Sequence, residues 1–223
     1  MTPRSVAERR ADVARYDFRR LHPLLRLGTA SDRFAGWMGQ VYPRDVWADK
    51  VSTRSKRAGG ETFEERLLPV ASVEDYFLHF PVLELDFTFY RPLLERDGRS
   101  SPALFTLQEY AEHAPASARF LLKAPQAFSA RRVRRKVDGK LQFVDNPEYL
   151  DAAGYTDRFL APALDALGAD RLAGVIFEQE YARRGESPPP EAFVAELDGF
   201  FSEVPDTTPT HLEVRSAHLL APP

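Results

Sequence analysis

Between Val82 and Tyr90 the chain reads VLELDFTFY, with Leu83, Leu85, Phe87 and Phe89 in one parity and Glu84, Asp86, Thr88 and Tyr90 in the other. Successive side chains of a strand point to opposite faces, so this alternation predicts a strand with one apolar and one polar face. The same split recurs along the chain. Arg26 sits between Leu25 and Leu27 in LLRLG (24–28), Lys123 follows Leu122 in ARFLLKAP (118–125), and Glu178 follows Phe177 in LAGVIFEQE (172–180). In THLEVRS (210–216), His211, Glu213 and Arg215 alternate with Leu212 and Val214. Helical patterns separate these five strands at 62–80, 106–114 and 147–167, and again after the Pro-rich start of SPPPEAFVAELDGFFSEV (187–204). Residues 4–20 predict a short helix, and residues 1–23 read as a helical extension ahead of a domain at 24–223. Two stretches read as loops: the aromatic-rich segment 29–47, and the polar STRSKRAGGE (52–61) ahead of the helix expected at 62–80.

Strands alternating with helices make the fold class α/β with a parallel sheet. In an open, doubly wound sheet both faces carry helices and both should be apolar. A TIM-barrel-like (β/α) fold differs, because its inner face can hold a layered polar network while helices cover only the outside. By parity, that inner face would hold four acids (Glu84, Asp86, Glu178, Glu213) and three bases (Arg26, Lys123, Arg215). Such near-balance fits a purely structural charge network. It also fits a site, which in barrels lies at the C-terminal rim. At about 3.3 Å per residue, Thr88 and Tyr90 would stand roughly 13 and 20 Å above Glu84. The rim candidates are thus Asp32, Thr88, Tyr90, Lys123, Glu178 and Arg215.

Composition narrows the chemistry. The chain has no cysteine, which removes disulfides and thiolate chemistry and fits a cytoplasmic location. The N-terminus has no apolar signal core, and no stretch approaches a membrane span. The net charge of −3 excludes a generally basic nucleic-acid binder but hides ARRVRRKVDGK, where Arg131, Arg132, Arg134, Arg135, Lys136 and Lys140 face only Asp138. This run reads either as a solvated loop or, since it follows the third strand at the rim, as a bidentate binder of phosphate.

Lys123 is one of five lysines and follows Phe-Leu-Leu. A buried ammonium needs a partner, so a salt bridge to Glu84 or Glu178 is expected; a Schiff-base or proton-transfer role would need it desolvated and neutral. Catalytic candidates are Lys123, Glu178 and Glu213. Asp86, Glu178 and Glu213 offer hard oxygen ligands suited to magnesium or manganese. The five histidines show no ligand spacing, and only His211 has inward parity. No nucleophile elbow and no Gly-rich phosphate loop is present. Phe34, Trp37, Tyr42, Phe89 and Tyr90 either stack on a ring or pack the loops.

RLGT with GWMGQVYP, then VLELDFTFYRP, RFLLKAP, GVIFEQ and LEVRSAHLL, taken in order, resemble the YecE-like family, domain of unknown function 72 (DUF72). The resemblance covers roughly residues 24–220 and implies a TIM-barrel fold. Three departures from the family pattern mark either altered specificity or a decayed site. GTASD places Asp32 where an aromatic is usual, QAFSARR lacks a common His, and FEQEY replaces a Phe-Gln-Leu-Pro run. The chain reaches only the fifth of eight barrel strands, so exposed strand edges and self-association are expected. The function expected is action on an anionic small molecule or nucleic acid, by metal-assisted hydrolysis. The alternative is a non-catalytic binding or scaffold protein whose inner charges support the fold.

Overall fold

The computed structural model describes residues 5–220, apart from residues 12, 15 and 184 and the side chains of residues 9 and 58. In chain order the elements are α1 (Val6–Ala11), β1 (Gly28–Thr29), α2 (Arg44–Trp47), β2 (Ser52–Ala58), β3 (Glu61–Leu67), α3 (Val73–Tyr76), β4 (Val82–Leu85) and α4 (Pro102–His113). There follow β5 (Arg119–Lys123), α5 (Gln126–Ser129), β6 (Arg132–Val137), β7 (Lys140–Asp145), α6 (Ala152–Tyr155), α7 (Ala161–Leu167), β8 (Leu172–Glu178), α8 (Pro190–Glu203) and β9 (Thr210–Glu213). The class is α/β, with a parallel five-stranded sheet in the chain order β1, β4, β5, β8, β9, in keeping with a partial TIM-barrel-like fold. Two compact units make up the chain: Met1–Glu84 with Gln108–Arg119, and Leu85–Leu107 with Phe120–Pro223. Among the described residues no helix is long and apolar enough to cross a membrane.

In the first unit, the helix of the N-terminal extension, α1, is attached by ion pairs. Arg10 of α1 pairs with Glu74 and with fully buried Asp75, which also accepts a 2.6 Å hydrogen bond from Trp47 Nε1. Residues 1–4, 12 and 15 of the expected extension lie outside the described residues, and of the helix expected over 4–20 the described part is α1. The first strand is shorter and later than LLRLG, since Leu24, Leu25 and Leu27 are exposed and pairing begins only at Gly28, opposite Val82. The helix expected over 62–80 shrinks to α3, because 52–67 forms an antiparallel hairpin pairing Ser52 with Leu67 through Ala58 with Glu61. Gly59 and Gly60 take positive φ at its tip (61° and 90°), which a two-residue hairpin turn demands.

The second unit carries the clearest alternation. In β5, Phe120 and Leu122 are fully buried while Leu121 and Lys123 lie on the other face. The register places Leu121 beside Gly174 and Lys123 beside Ile176, then Ile176 beside His211 and Glu178 beside Glu213. Lys123, Glu178 and Glu213 therefore share one face of the sheet, as parity predicted. Gly174 leaves room there for the His211 ring and the Pro209 carbonyl, which a Cβ would meet at 2.7 and 3.0 Å. The opposite face supports an aromatic core in which Tyr155, Phe177 and Phe200 lie with ring centroids 5.3–6.5 Å apart, fixing α6 and α8 against β8.

Asp32, expected at the rim, is buried in the first unit instead, with Oδ1 accepting a 2.8 Å hydrogen bond from Tyr110 and Oδ2 without a hydrogen-bond partner. Burial pushes its carboxyl up to about 6, against the opposing Tyr110 hydrogen bond. A folded pKa above the unfolded value near 3.9 favours the protonated fold, so this stability is full below about pH 4 and is lost as pH rises to about 6. Chemical denaturation across that window should show a loss on the order of 3 kcal/mol that the Asp32→Asn variant lacks.

Candidate functional site

The strand VLELDFTFY ends early. β4 stops at Leu85 and residues Asp86–Tyr90 turn as a 3₁₀ helix. The turn is held by the Thr88 hydroxyl, which lies 2.7 Å from the Lys123 carbonyl and 3.1 Å from that of Leu85. Parity is lost beyond Leu85, so two rim assignments fall. Thr88 is fully buried in backbone hydrogen bonding, and Tyr90 is 80% exposed, edge-on to Phe89. The same turn brings Asp86 to the end of β5.

At that end, Lys123 Nζ donates to Glu178 Oε2 at 2.6 Å and lies 3.5 Å from Glu213 and 3.8 Å from Asp86. The Lys123 and Glu178 side chains are 13% and 10% exposed. Arg215 closes the far side, 3.2 Å from Glu178 and 3.0 Å from Glu213. Burial works against the Lys123 ammonium, but the hydrogen bond and charge of Glu178, with Asp86 and Glu213, outweigh it and hold its pKa above the ordinary lysine value. Glu213 is lowered despite its own burial, chiefly by the Arg215 hydrogen bond and the Lys123 charge. This is the salt bridge expected of Lys123, and it favours the charged ammonium over the neutral amine that Schiff-base chemistry needs.

The magnesium or manganese site expected from Asp86, Glu178 and Glu213 takes another form. Among the described residues no three His, Cys, Asp or Glu side chains are arranged to hold a metal ion. The three carboxylates instead surround the Lys123 ammonium, at 2.6–3.8 Å.

Beyond this network opens a cavity of about 590 Å³, whose walls include Phe89, Arg131, Arg132, Phe143, Tyr149, Glu178, Glu180, Tyr181, Arg183 and Arg215. It lies past the carboxyl ends of β5, β8 and β9, where parallel sheets bind ligands. Arg131 is anchored by Glu196 and lies over the Tyr149 ring at 4.7 Å. Arg132 reaches the cavity from β6, its backbone N–H donating to Glu180 at 3.0 Å. The cationic run is thus not a loop but the first strand of a hairpin, and its members separate. Arg131 and Arg132 line the cavity, while Arg134 and Arg135 lie farther out on exposed strand.

Two features escaped the sequence reading. Gln179 is buried, its Oε1 accepting from the N–H groups of Arg215 and Ser216 at 3.1 Å each, and its Nε2 donating to Ser216 Oγ at 3.2 Å. Ser216 also binds the backbone of Ala182, so this latch sets Arg215 at the cavity. The Gln in FEQEY was visible but carried no sign of its partners, which lie 36 and 37 residues away. The second is Ser187 on the cavity wall, hydrogen-bonded to His218 Nε2.

Replacing Lys123 with Met leaves Glu178 buried beside Glu213 with only Arg215 to balance them, and should destabilise the fold by roughly 3–5 kcal/mol in denaturant unfolding. The network's stability has two pH limits. Lys123, raised, contributes below its unfolded pKa and is lost as pH rises past its folded one; Glu213, lowered, contributes above its unfolded pKa and is lost on acidification.

No curated protein and no solved structure matches the chain. The family model described as Protein of unknown function DUF72 matches residues 26–223, which takes in every strand of the parallel sheet, the Lys123 network and the cavity. The chain belongs to the DUF72 family.

Proposed function

We propose that the chain binds a phosphorylated ligand bearing a ring in the cavity beyond β5, β8 and β9. The observation that carries this reading is the convergence of guanidinium groups and aromatic rings on one cavity wall. Four arginines line it (131, 132, 183, 215); Arg131 is paired with Glu196 and Arg215 with Glu178 and Glu213, while among the described residues Arg132 and Arg183 make no close carboxylate pair on the wall. The volume suits a small organic ligand. Guanidinium groups bind phosphate through paired N–H donors, and Phe89, Phe143, Tyr149 and Tyr181 offer rings for stacking. In this reading Lys123, Glu178 and Glu213 are a supporting wall, and Arg132, Arg183 and Arg215 hold the ligand.

A second reading adds hydrolysis, favoured by Ser187 and His218 at the same wall. Ser187 Oγ would attack phosphorus as His218 Nε2 takes its proton and passes it to the leaving alcohol oxygen; water, giving its proton to His218, would then attack the phosphoserine, breaking the P–Oγ bond to release inorganic phosphate and return Ser187 its proton. The two readings separate on Ser187→Ala, which abolishes turnover of phenyl phosphate if Ser187 is the nucleophile and leaves binding intact in both.

Calorimetric titration should show phenyl phosphate binding more tightly than inorganic phosphate, with at least a tenfold loss in the Arg132→Ser, Arg183→Ser double variant. Equal affinity of that variant and the parent would remove the cavity arginines from the site.

A further inference from the structure

The β6–β7 hairpin is a two-stranded sheet of its own. Its tip, Asp138-Gly139, takes positive φ at both residues (48° and 80°), the type of two-residue turn that keeps the flanking strands in tight register. That register pairs Arg132 with Asp145, Arg134 with Phe143 and Lys136 with Leu141. Opposed residues of an antiparallel pair share a face, so one face of the ribbon carries Arg132, Arg134 and Lys136 interleaved with Phe143 and Leu141. The one acid on it, Asp145, is fully exposed and 3.9 Å from Arg132, a pair too loose and too wet to cancel the charge.

Phe143 is 53% exposed, with the Arg134 guanidinium 5.6 Å and that of Arg132 6.0 Å from its ring centroid. An exposed ring flanked by guanidinium groups costs solvation and contributes no core packing. It is, however, the surface on which a base stacks. The three cations stand at alternate positions of β6, about 6.6 Å apart, a spacing on the scale of successive phosphates in an extended strand. Arg132 and Phe143 also line the cavity, so the ribbon face runs directly into it. An acidic peptide would use the charges but not the ring, and two exposed apolar side chains are too few to enter a bilayer.

We propose that this ribbon face binds single-stranded nucleic acid and leads a terminal phosphorylated nucleotide into the cavity. The proposal rests on the cavity reading for its end point, but Arg134 and Lys136 of the ribbon face lie outside the cavity, which allows the two to be tested apart. The probes are fluorescein-labelled (dT)12 and dTMP, each titrated with the intact chain across a range of salt. (dT)12 should bind at least tenfold more tightly than dTMP. The Arg134→Ser, Lys136→Ser double variant, altered only at exposed positions, should lose about tenfold for (dT)12 and shrink its salt slope by about 1.4, the counterion release of two contacts. Its affinity for dTMP should not change. Phe143→Leu, which keeps the apolar bulk without the ring, should weaken (dT)12 by about tenfold.

Unchanged (dT)12 affinity in the double variant, or equal binding of polyglutamate of matched charge, overturns the ribbon proposal. If dTMP still binds in that case, the cavity reading stands alone. If (dT)12 binds as expected and dTMP does not, the ribbon stands and the cavity reading falls. Failure of both probes overturns both.

Discussion

An ammonium on the polar face of a parallel strand has to be neutralised within reach of its side chain, and much of the second unit follows from how Lys123 meets that demand. Its hydrogen bond to Glu178 ties β5 to β8 at the carboxyl end of the sheet, where Lys123 pairs in register with Ile176. Glu213, opposite Glu178 in β9, and Asp86, delivered by the 3₁₀ turn after β4, complete the shell. Removing charges from water is expensive, and the cost is met here only because each carboxylate has a cationic neighbour. Arg215 then serves two purposes, balancing the surplus of acid and presenting its half-exposed guanidinium to the cavity.

This arrangement explains why the polar parity was informative. Lys123, Glu178 and Glu213 share a face because all three lie on regular strand, where a period of two holds. Thr88 and Tyr90 were assigned to the same face by the same rule and did not keep it, since the strand gives way at Leu85, whereas Asp86, first in the turn, still reaches Lys123. The residues FTFY have high strand propensity, but the Thr88 hydroxyl finds the carbonyls of Leu85 and Lys123, and that local bonding overrides propensity. The grouping of Asp86, Glu178 and Glu213 was legible, but not what they surround. Three converging acids look alike in sequence whether they hold a divalent ion or a lysine, and only distance tells them apart.

Other features were legible and were missed. Gly59-Gly60 and Asp138-Gly139 are two-residue turn signals between segments that pair along their full length, and both hairpins could have been read from them. Within and just after the charged run, Val133, Val137 and Val144 are β-branched, which favours strand over loop. Burial of Asp32 was not legible, because its partner Tyr110 lies 78 residues away and nothing local distinguishes it from a polar loop residue.

If Lys123 is the fixed charge on which the site is built, its ammonium must stay protonated well beyond physiological pH. ¹⁵N-detected titration of the lysine side chains addresses this directly, since there are five lysines and Lys123→Arg assigns the resonance. The account predicts a Lys123 Nζ that titrates above the ordinary lysine value of roughly 10.4. Titration near neutrality would mean a desolvated, nucleophilic amine, and would contradict the ion-pair network and the supporting role given to Glu178 and Glu213.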